Sequence, residues 1–375
     1  MAGLYIHIPF CTQKCIYCDF LSGTNLSLRE QFIDALIAEM DCYLDFFNED
    51  KIRTIYFGGG TPSLLSVDEL QRIYDAIAQR WDISAVKEFT IECNPDDLTE
   101  EYLLQLRSIP INRLSIGVQS FCDDELRWLN RRHTAQEAFD AVQRAQKVGF
   151  ENITIDLMFA LPVQTLESLN YSIDKALELD VQHISAYSLM FEPDSKITKL
   201  MELDRLQPLD EDVSADMFDL LSNRLVKEGY EQYEISNYAK SGFESRHNSG
   251  YWHGMRYLGL GPSAHSFDGD KRWSNVAHTI KYNSQLEDIC DFRILETLSD
   301  DEKFNELVFT ALRTKIGVDL LDLRSKFGDK RCDKLLTQAQ KYIDNDKMQV
   351  SDGRLSLTRS GIYISDSIIS DFMIV

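Results

Sequence analysis

Six short runs of Ile, Leu, Val, Thr, Tyr and Phe lie at 4–8, 52–57, 88–92, 113–118, 153–159 and 183–189. They alternate with longer amphipathic segments near 28–47, 67–81, 99–108, 135–148 and 166–179. Runs this rich in apolar and β-branched residues read as strands buried on both faces, as parallel strands are. Parallel neighbours need a crossover, so this alternation predicts right-handed βαβ units around a parallel sheet. The fold class is therefore α/β. Periodicity alone does not separate an open doubly wound sheet from a barrel. Capping-box patterns mark three helix starts, Ser27…Glu30, Ser66…Glu69 and Thr134…Glu137. Gly149 stands where a C-cap glycine would end the helix near 135–148.

Just after the first strand come Cys11, Cys15 and Cys18, spaced C-x3-C-x2-C. Three thiolates on one short loop can hold three irons of a [4Fe–4S] cluster and leave the fourth iron open to another ligand. A tetrahedral zinc site would want a fourth Cys or His nearby, and none follows Cys18 closely. A disulfide would need an oxidising compartment, and nothing in the chain suggests export. The spacing favours the cluster. Cys42, Cys93, Cys122, Cys290 and Cys332 are scattered and read as structural.

No run of about 18 apolar residues occurs, so no transmembrane helix is expected. The N-terminus lacks the pattern of a signal peptide, and the expected location is the cytoplasm. A formal net charge of −22 argues against a nucleic-acid partner, whose phosphates call for Lys and Arg. It leaves at most a peripheral contact with anionic lipid.

The stretch Tyr5-Ile6-His7-Ile8-Pro9-Phe10-Cys11-Thr12-Gln13-Lys14-Cys15-Ile16-Tyr17-Cys18-Asp19-Phe20 resembles the cluster loop of the radical S-adenosylmethionine (SAM) superfamily. More narrowly, it resembles the group that holds oxygen-independent coproporphyrinogen III oxidase and its heme-chaperone relatives. The resemblance implies that the open iron chelates the amino and carboxylate groups of SAM. An electron from the cluster can then cleave SAM to methionine and a 5′-deoxyadenosyl radical. It also implies a partial (β/α)6 barrel, a fold whose sites sit at the C-terminal strand ends.

The polar signatures fall at those ends. Gly58-Gly59-Gly60-Thr61-Pro62 follows the second strand. Taken alone it is a tight βα turn, and no Lys-Ser/Thr follows to make a phosphate loop. The resemblance makes it the family's G-G-G-T-P element and implies SAM contacts for Gly59, Gly60 and Thr61. Glu92 ends the third strand in Ile91-Glu92-Cys93-Asn94-Pro95 and matches a ribose or SAM contact. Gln119, Arg131 and Asp156 match other SAM-contacting positions. Asp156 sits in an apolar strand, where an unpaired acid is costly. Tyr5 and Tyr17 flank the loop at positions that contact SAM in the family, with aromatic packing as their plainer role.

Two departures point away from the oxidase. Phe20 occupies the position of the extra cysteine in the oxidase motif, and Tyr5 stands almost at the start of this chain. Both put porphyrinogen decarboxylation in doubt, so enzymatic turnover stays open and no catalytic residue is assigned. Arg246-His247-Asn248-Ser249-Gly250-Tyr251-Trp252 resembles the H-N-x-x-Y-W motif of the heme-chaperone branch. Imidazole is a usual axial ligand of heme iron, and aromatic rings stack on the macrocycle. This makes His247, Asn248, Tyr251 and Trp252 the expected heme-associated residues. The other histidines, His7, His253 and His265 among them, read as structural.

The resemblance thus implies a radical-SAM-type heme chaperone with a [4Fe–4S] cluster, SAM and heme. Its partners would be an electron donor and apo-hemoprotein acceptors, such as respiratory-chain proteins. The alternative is oxygen-independent coproporphyrinogen III oxidase or another radical SAM enzyme of porphyrin metabolism. The expected organisation is a core with a helical connector over 1–235, a loop-rich segment over 236–289, and a small winged-helix-like domain over 290–375. In that last domain helices are expected at 300–313, 320–327 and 330–344. A hairpin is expected at 348–350 and 355–357, and a terminal helix from about 360.

Overall fold

The computed structural model describes residues 2–193, 195–284 and 293–374. Cys290 and the expected boundary at 289/290 lie outside the described residues. All six expected strands form: β1 (Ala2–Ile8), β2 (Ile52–Gly59), β3 (Glu88–Cys93), β4 (Arg113–Gln119), β5 (Asn152–Phe159) and β6 (His183–Ser188). Each pairs in parallel with the next. The crossovers carry α1 (Arg29–Asp41), α2 (Val67–Arg80), α3 (Glu100–Leu106), α4 (Asp123–Trp128), α5 (Ala135–Lys147) and α6 (Leu166–Glu178). The result is a partial (β/α)6 barrel. Its main core joins strand residues such as Leu4, Ile6, Phe57, Ile91 and Ile155 to helix residues such as Phe32, Leu70 and Val142.

Local chemistry explains the helix ends. Ser66 and Glu69, and Thr134 and Glu137, form both halves of their capping boxes. The third expected box does not form. The chain enters α1 through a 3-10 turn over Leu26–Leu28, and Asn25 takes the capping role by accepting from the Ser27 N–H. Because Leu28 is already helical, the Ser27 hydroxyl is left to donate to Asn25 instead. Gly149, at φ +97°, ends α5 as expected. Its N–H donates to Gln146 O (2.9 Å) and the Phe150 N–H to Ala145 O (3.0 Å), the paired bonds of a Schellman ending.

Beyond β6 come α7 (Lys196–Glu202) and α8 (Glu211–Lys227), then β7 (Glu231–Gln232) and β8 (Asn237–Ala239). The two short strands cap the β6 edge antiparallel. The stretch expected to be loop-rich builds much of the opposite edge. It holds α9 (Arg246–Trp252), β9 (Arg256–Leu260), β10 (His265–Phe267), β11 (Lys271–Ser274) and α10 (Thr279–Asn283). β9 runs parallel to β1 from Ala2 to Ile6, and β10, β11 and β12 (Ile294–Thr297) continue antiparallel. Strands of three to five residues interrupted by glycine give too short a period to read from sequence.

The C-terminal part is winged-helix-like. It runs α11 (Asp300–Leu312), β13 (Val318–Asp319), α12 (Leu320–Phe327), α13 (Asp329–Ile343), β14 (Met348–Ser351) and β15 (Arg354–Leu357). Asp352 and Gly353, both at positive φ, make the hairpin turn. The single terminal helix is instead two short ones, α14 (Arg359–Ile362) and α15 (Ser365–Ser370). This part has its own core around Val308, Leu323, Leu335 and Ile368. Main-chain bonds stitch it to the barrel: Ile235 N–H to Arg313 O (3.1 Å) and Lys315 N–H to Tyr233 O (3.0 Å). Among the described residues no helix is long and apolar enough to cross a membrane.

Candidate functional site

The cysteine loop leaves β1 and is pinched shut at its base. Cys11 N–H donates to Gly23 O (3.0 Å) and Gly23 N–H to Pro9 O (2.9 Å). Its middle is anchored by Ile16, buried with Leu129, Met158, Leu161, Leu189 and Ile197. Ile16 also donates to Leu129 O and accepts from the Ile197 N–H. Asn130, at φ +60°, donates from Nδ2 to Lys14 O (2.9 Å) and accepts on its own carbonyl from Gln13 (3.0 Å). Cys11, Cys15 and Cys18 are free thiols, the first buried and the others half-buried. All three line one cavity of about 380 Å³ at the C-terminal strand ends. Burial and the neighbouring thiols push the Cys18 thiol up to about 11.

Tyr17, Gly59, Gly60, Thr61, Glu92, Gln119, Arg131 and Asp156 line the same cavity. The glycine turn passes directly beneath the cysteine loop. Gly60 N–H donates to Ile8 O (2.8 Å), and a Cβ on Gly60 would stand 2.5 Å from Phe10 O. Gly59 takes φ +108° and gives its N–H to Glu92 Oε2 (3.0 Å). Thr61 Oγ1 lies 3.4 Å from Cys11 Sγ. Gln119 is a non-glycine residue at φ +69°, where the β4–β5 ladder slips between Ile116 and Gln119. Such a slip re-aims the side chain at a strand end.

The charged groups are held by name. Glu92 accepts from the Tyr56 hydroxyl (2.8 Å), and burial pushes its carboxyl up to about 7. Burial also pushes Asp156 up to about 6, against the pull of Ser185, Arg113 and Arg131. Asp156 Oδ1 is buried without a hydrogen-bond partner. Arg131 donates to Cys15 Sγ (3.4 Å), to Asn94 Oδ1 (2.8 Å) and to Gly117 O (2.6 Å). Burial raises the Tyr17 phenol well above its usual range. The arrangement sets three sulfur donors against two acids, a guanidinium and a glycine backbone, in one chamber. A carboxylate oxygen buried without a partner in a chamber lined by three thiols fits a polar ligand beside a metal cluster.

Sequence reasoning missed Tyr56, Asn94 and Tyr187. Asn94 stood beside Glu92 in the quoted motif and bridges Arg131 to Thr61. Tyr56 lies two residues before the glycine turn on a strand that otherwise looks like core. Tyr187 lines the cavity from the end of β6.

Tyr5 is placed elsewhere. It and His7 line a second, larger cavity of about 940 Å³ between the β1–β9–β10 edge and the C-terminal part. Tyr5 does not line the first cavity; it stacks at 6.0 Å on Tyr56, whose hydroxyl donates to Glu92 of that cavity. The H-N-x-x-Y-W motif is split in two. Glu88 accepts from the Arg246 and His247 N–H groups at the start of α9 and turns His247 inward. His247 is 1% exposed. Its Nδ1 pairs with Thr54 Oγ1 (2.8 Å) and its Nε2 with the Tyr251 hydroxyl (2.8 Å). Burial lowers it to about 3. Both ring nitrogens are engaged, so His247 serves as a strut inside the barrel. Asn248 lines neither cavity, whereas Tyr251 and Trp252 line the larger one. Phe20, 62% exposed, lines both cavities, as does Asp19.

Comparison with known proteins agrees with this geometry. Residues 5–176 match the model of the radical SAM superfamily, and residues 298–364 match the HemN C-terminal domain. The chain is 37% identical over 376 residues to "Heme chaperone HemW" of Lactococcus lactis subsp. lactis, covering 99% of this chain and 97% of that one. It is 36% identical over 377 residues to the protein of the same name in Bacillus subtilis, covering 100% and 99%. In fold it resembles coproporphyrinogen III oxidase (HemN) from Escherichia coli, described as a radical SAM enzyme. That likeness has TM-score 0.84 and 22% identity, and covers 99% of this chain and 89% of the other.

Proposed function

The chain belongs to the HemW heme-chaperone family of the radical SAM superfamily, and we propose that it carries heme to apo-hemoproteins, such as those of a respiratory chain. In this reading Cys11, Cys15 and Cys18 hold a [4Fe–4S] cluster, and SAM binds beside it in the smaller cavity. The observation that carries the reading is the convergence of three free thiols in one chamber with a buried acid, Asp156, whose Oδ1 has no hydrogen-bond partner. Three close thiolates repel one another, and bound iron offsets that repulsion. When bound, the cluster supplies a one-electron reductant and an iron with an open position; a separate donor must supply the electron.

The chain's own residues do the rest. Glu92 is oriented by Tyr56 and Gly59, and it and Asp156 offer acceptors to the hydroxyl and ammonium groups of SAM. Arg131 fixes Cys15 and the Gly117 carbonyl in register. Gly60 lets the base of the cysteine loop pack directly on the glycine turn, which holds the two sides of the chamber together. Phe20 stands where an oxidase would carry its further cysteine, and its exposed ring offers no polar or ionisable group.

Anaerobically reconstituted protein with SAM, reductant and coproporphyrinogen III is expected to yield no protoporphyrinogen; its formation would establish the oxidase instead. Heme titration followed by visible absorbance tests cargo binding, and wild-type protein that takes up no heme ends the chaperone reading. Movement of bound heme to an apo-acceptor distinguishes a chaperone from a passive store.

A further inference from the structure

The larger cavity has chemically unlike walls. Side chains two apart on a strand share a face, so His265 and Phe267 on β10 point together. Phe267 pairs with Tyr257 across the β9–β10 ladder, and Gly3 and Tyr5 on β1 sit opposite Tyr257 and Gly259. Tyr5, Tyr257, His265 and Phe267 therefore form one aromatic wall with an imidazole in it, and all four line the cavity. The facing wall comes from the C-terminal part and includes Leu307, Ala311, Ile316 and Phe327. Arg272 and Lys303 also line the cavity, paired with Glu306 (2.5 Å) and Asp270 (2.9 Å). An aromatic wall, an apolar wall and edge cations suit a flat, apolar molecule that carries carboxylates and a metal.

Three histidines line this cavity. His7 has both ring nitrogens engaged, with the Tyr5 hydroxyl (3.2 Å) and Leu21 O (3.0 Å). His253 stands at the end of α9, outside the sheet, with Nδ1 on Ser249 O (2.6 Å). His265 is exposed, makes one ring hydrogen bond to the Ser263 backbone, and is carried by the sheet itself. Its backbone lies so close to Gly259 that a Cβ there would run into the His265 carbonyl. The strand is held by pairing of His265 with Ser274 and by Ser266 Oγ bonds to Gly259 N–H and O, and a ligand on a strand is held in place better than one on a loop or helix end.

We propose that heme is seated in this cavity between the barrel edge and the C-terminal part, with His265 as an axial ligand of its iron. The inference rests on the heme-chaperone reading and adds the seat and the ligand to it. Arg272 and Lys303 meet the propionates by exchanging their present carboxylate partners. Asp19 and Phe20 belong to both cavities, so the seat shares a wall with the cysteine chamber.

The test titrates full-length protein with hemin and follows the Soret band. Wild type, His265→Ala and His253→Ala are compared, with thermal melting to check that each folds. His265→Ala should show a shifted Soret band and an affinity lower by at least about tenfold, the smaller end of what even a supporting residue costs at a metal site. Added imidazole should restore the wild-type spectrum, which a folding defect would not allow. His253→Ala should bind as wild type. If His265→Ala keeps the wild-type band and affinity, or if His253→Ala alone loses them, the assignment is wrong while the chaperone reading stands. If wild type binds no hemin, the chaperone reading itself falls.

Discussion

Replacing His247 with alanine separates a strut from a ligand. The imidazole bridges Thr54 and Tyr251 inside the barrel and stacks on Tyr56 at 5.0 Å. Its removal leaves the buried Thr54 hydroxyl and the half-buried Tyr251 hydroxyl without their partner, at about 1–2 kcal/mol each. Lost packing adds about 1 kcal/mol. The expected cost is about 3–5 kcal/mol at pH 7, a large part of the roughly 5–15 kcal/mol that holds a protein folded. The cost also depends on pH. His247 is held near 3 in the folded protein against 6.5 unfolded, so its folded-state proton affinity is depressed. Its neutral form contributes stability that is present above pH 6.5 and is lost as pH falls towards 3. Between pH 7 and pH 5 wild type should lose about 2 kcal/mol through this group. The variant lacks that loss, so the gap between the two proteins should narrow by the same amount. Urea denaturation at the two pH values, alongside hemin titration, measures both. A variant with the wild-type urea midpoint at both pH values but without heme absorbance would refute the strut.

Gly60→Ala places a Cβ against Phe10 O, Ile8 O and Phe10 N, all backbone atoms that cannot swing aside. Anaerobic reconstitution should then give well under the about four irons per chain of a full cluster, with circular dichroism unchanged; full loading would show that the cradle is not needed. Asp156→Asn should trade ligand for stability. The buried acid is raised from 3.8 to about 6, so its ionisation is a penalty that appears as pH rises through that window. The amide should therefore raise stability by up to about 3 kcal/mol at pH 8, with the gain fading below pH 4, while SAM affinity falls by calorimetry. A lower melting temperature at pH 8 would sink that account.

The barrel was legible because its strands announce themselves. Six apolar runs, two of three capping boxes and Gly149 are local signals, and local signals survive in a single sequence. The cysteine loop, Gly59–Thr61, Glu92, Gln119, Arg131 and Asp156 were found by motif, and the fold gathers them into one chamber. What escaped depends on distant pairing. β9 joins β1 across more than two hundred residues, and nothing in Arg256–Leu260 reveals its partner. Tyr5 and Tyr17 flank the same motif, but strand alternation sends Tyr5 to the other cavity. The inward turn of His247 was not legible because a motif gives residue identities and not which way they point. Its direction is set by Glu88, on a strand more than 150 residues earlier.

The join between Tyr233–Ile235 and Arg313–Lys315 is made of main-chain atoms. The ladder itself does not consult side chains, while Arg313 over the Trp252 ring and Lys315 paired with Glu231 add side-chain contacts at two of its positions. A one-residue insertion or deletion at either segment is another matter, since it shifts the pairing and turns alternate side chains over. Away from Arg313 and Lys315, the width of that chamber is therefore less sensitive to point substitution along the join than to changes of length. Swaps of the C-terminal part between relatives should tolerate divergent sequence there, provided the residue count across the join is kept.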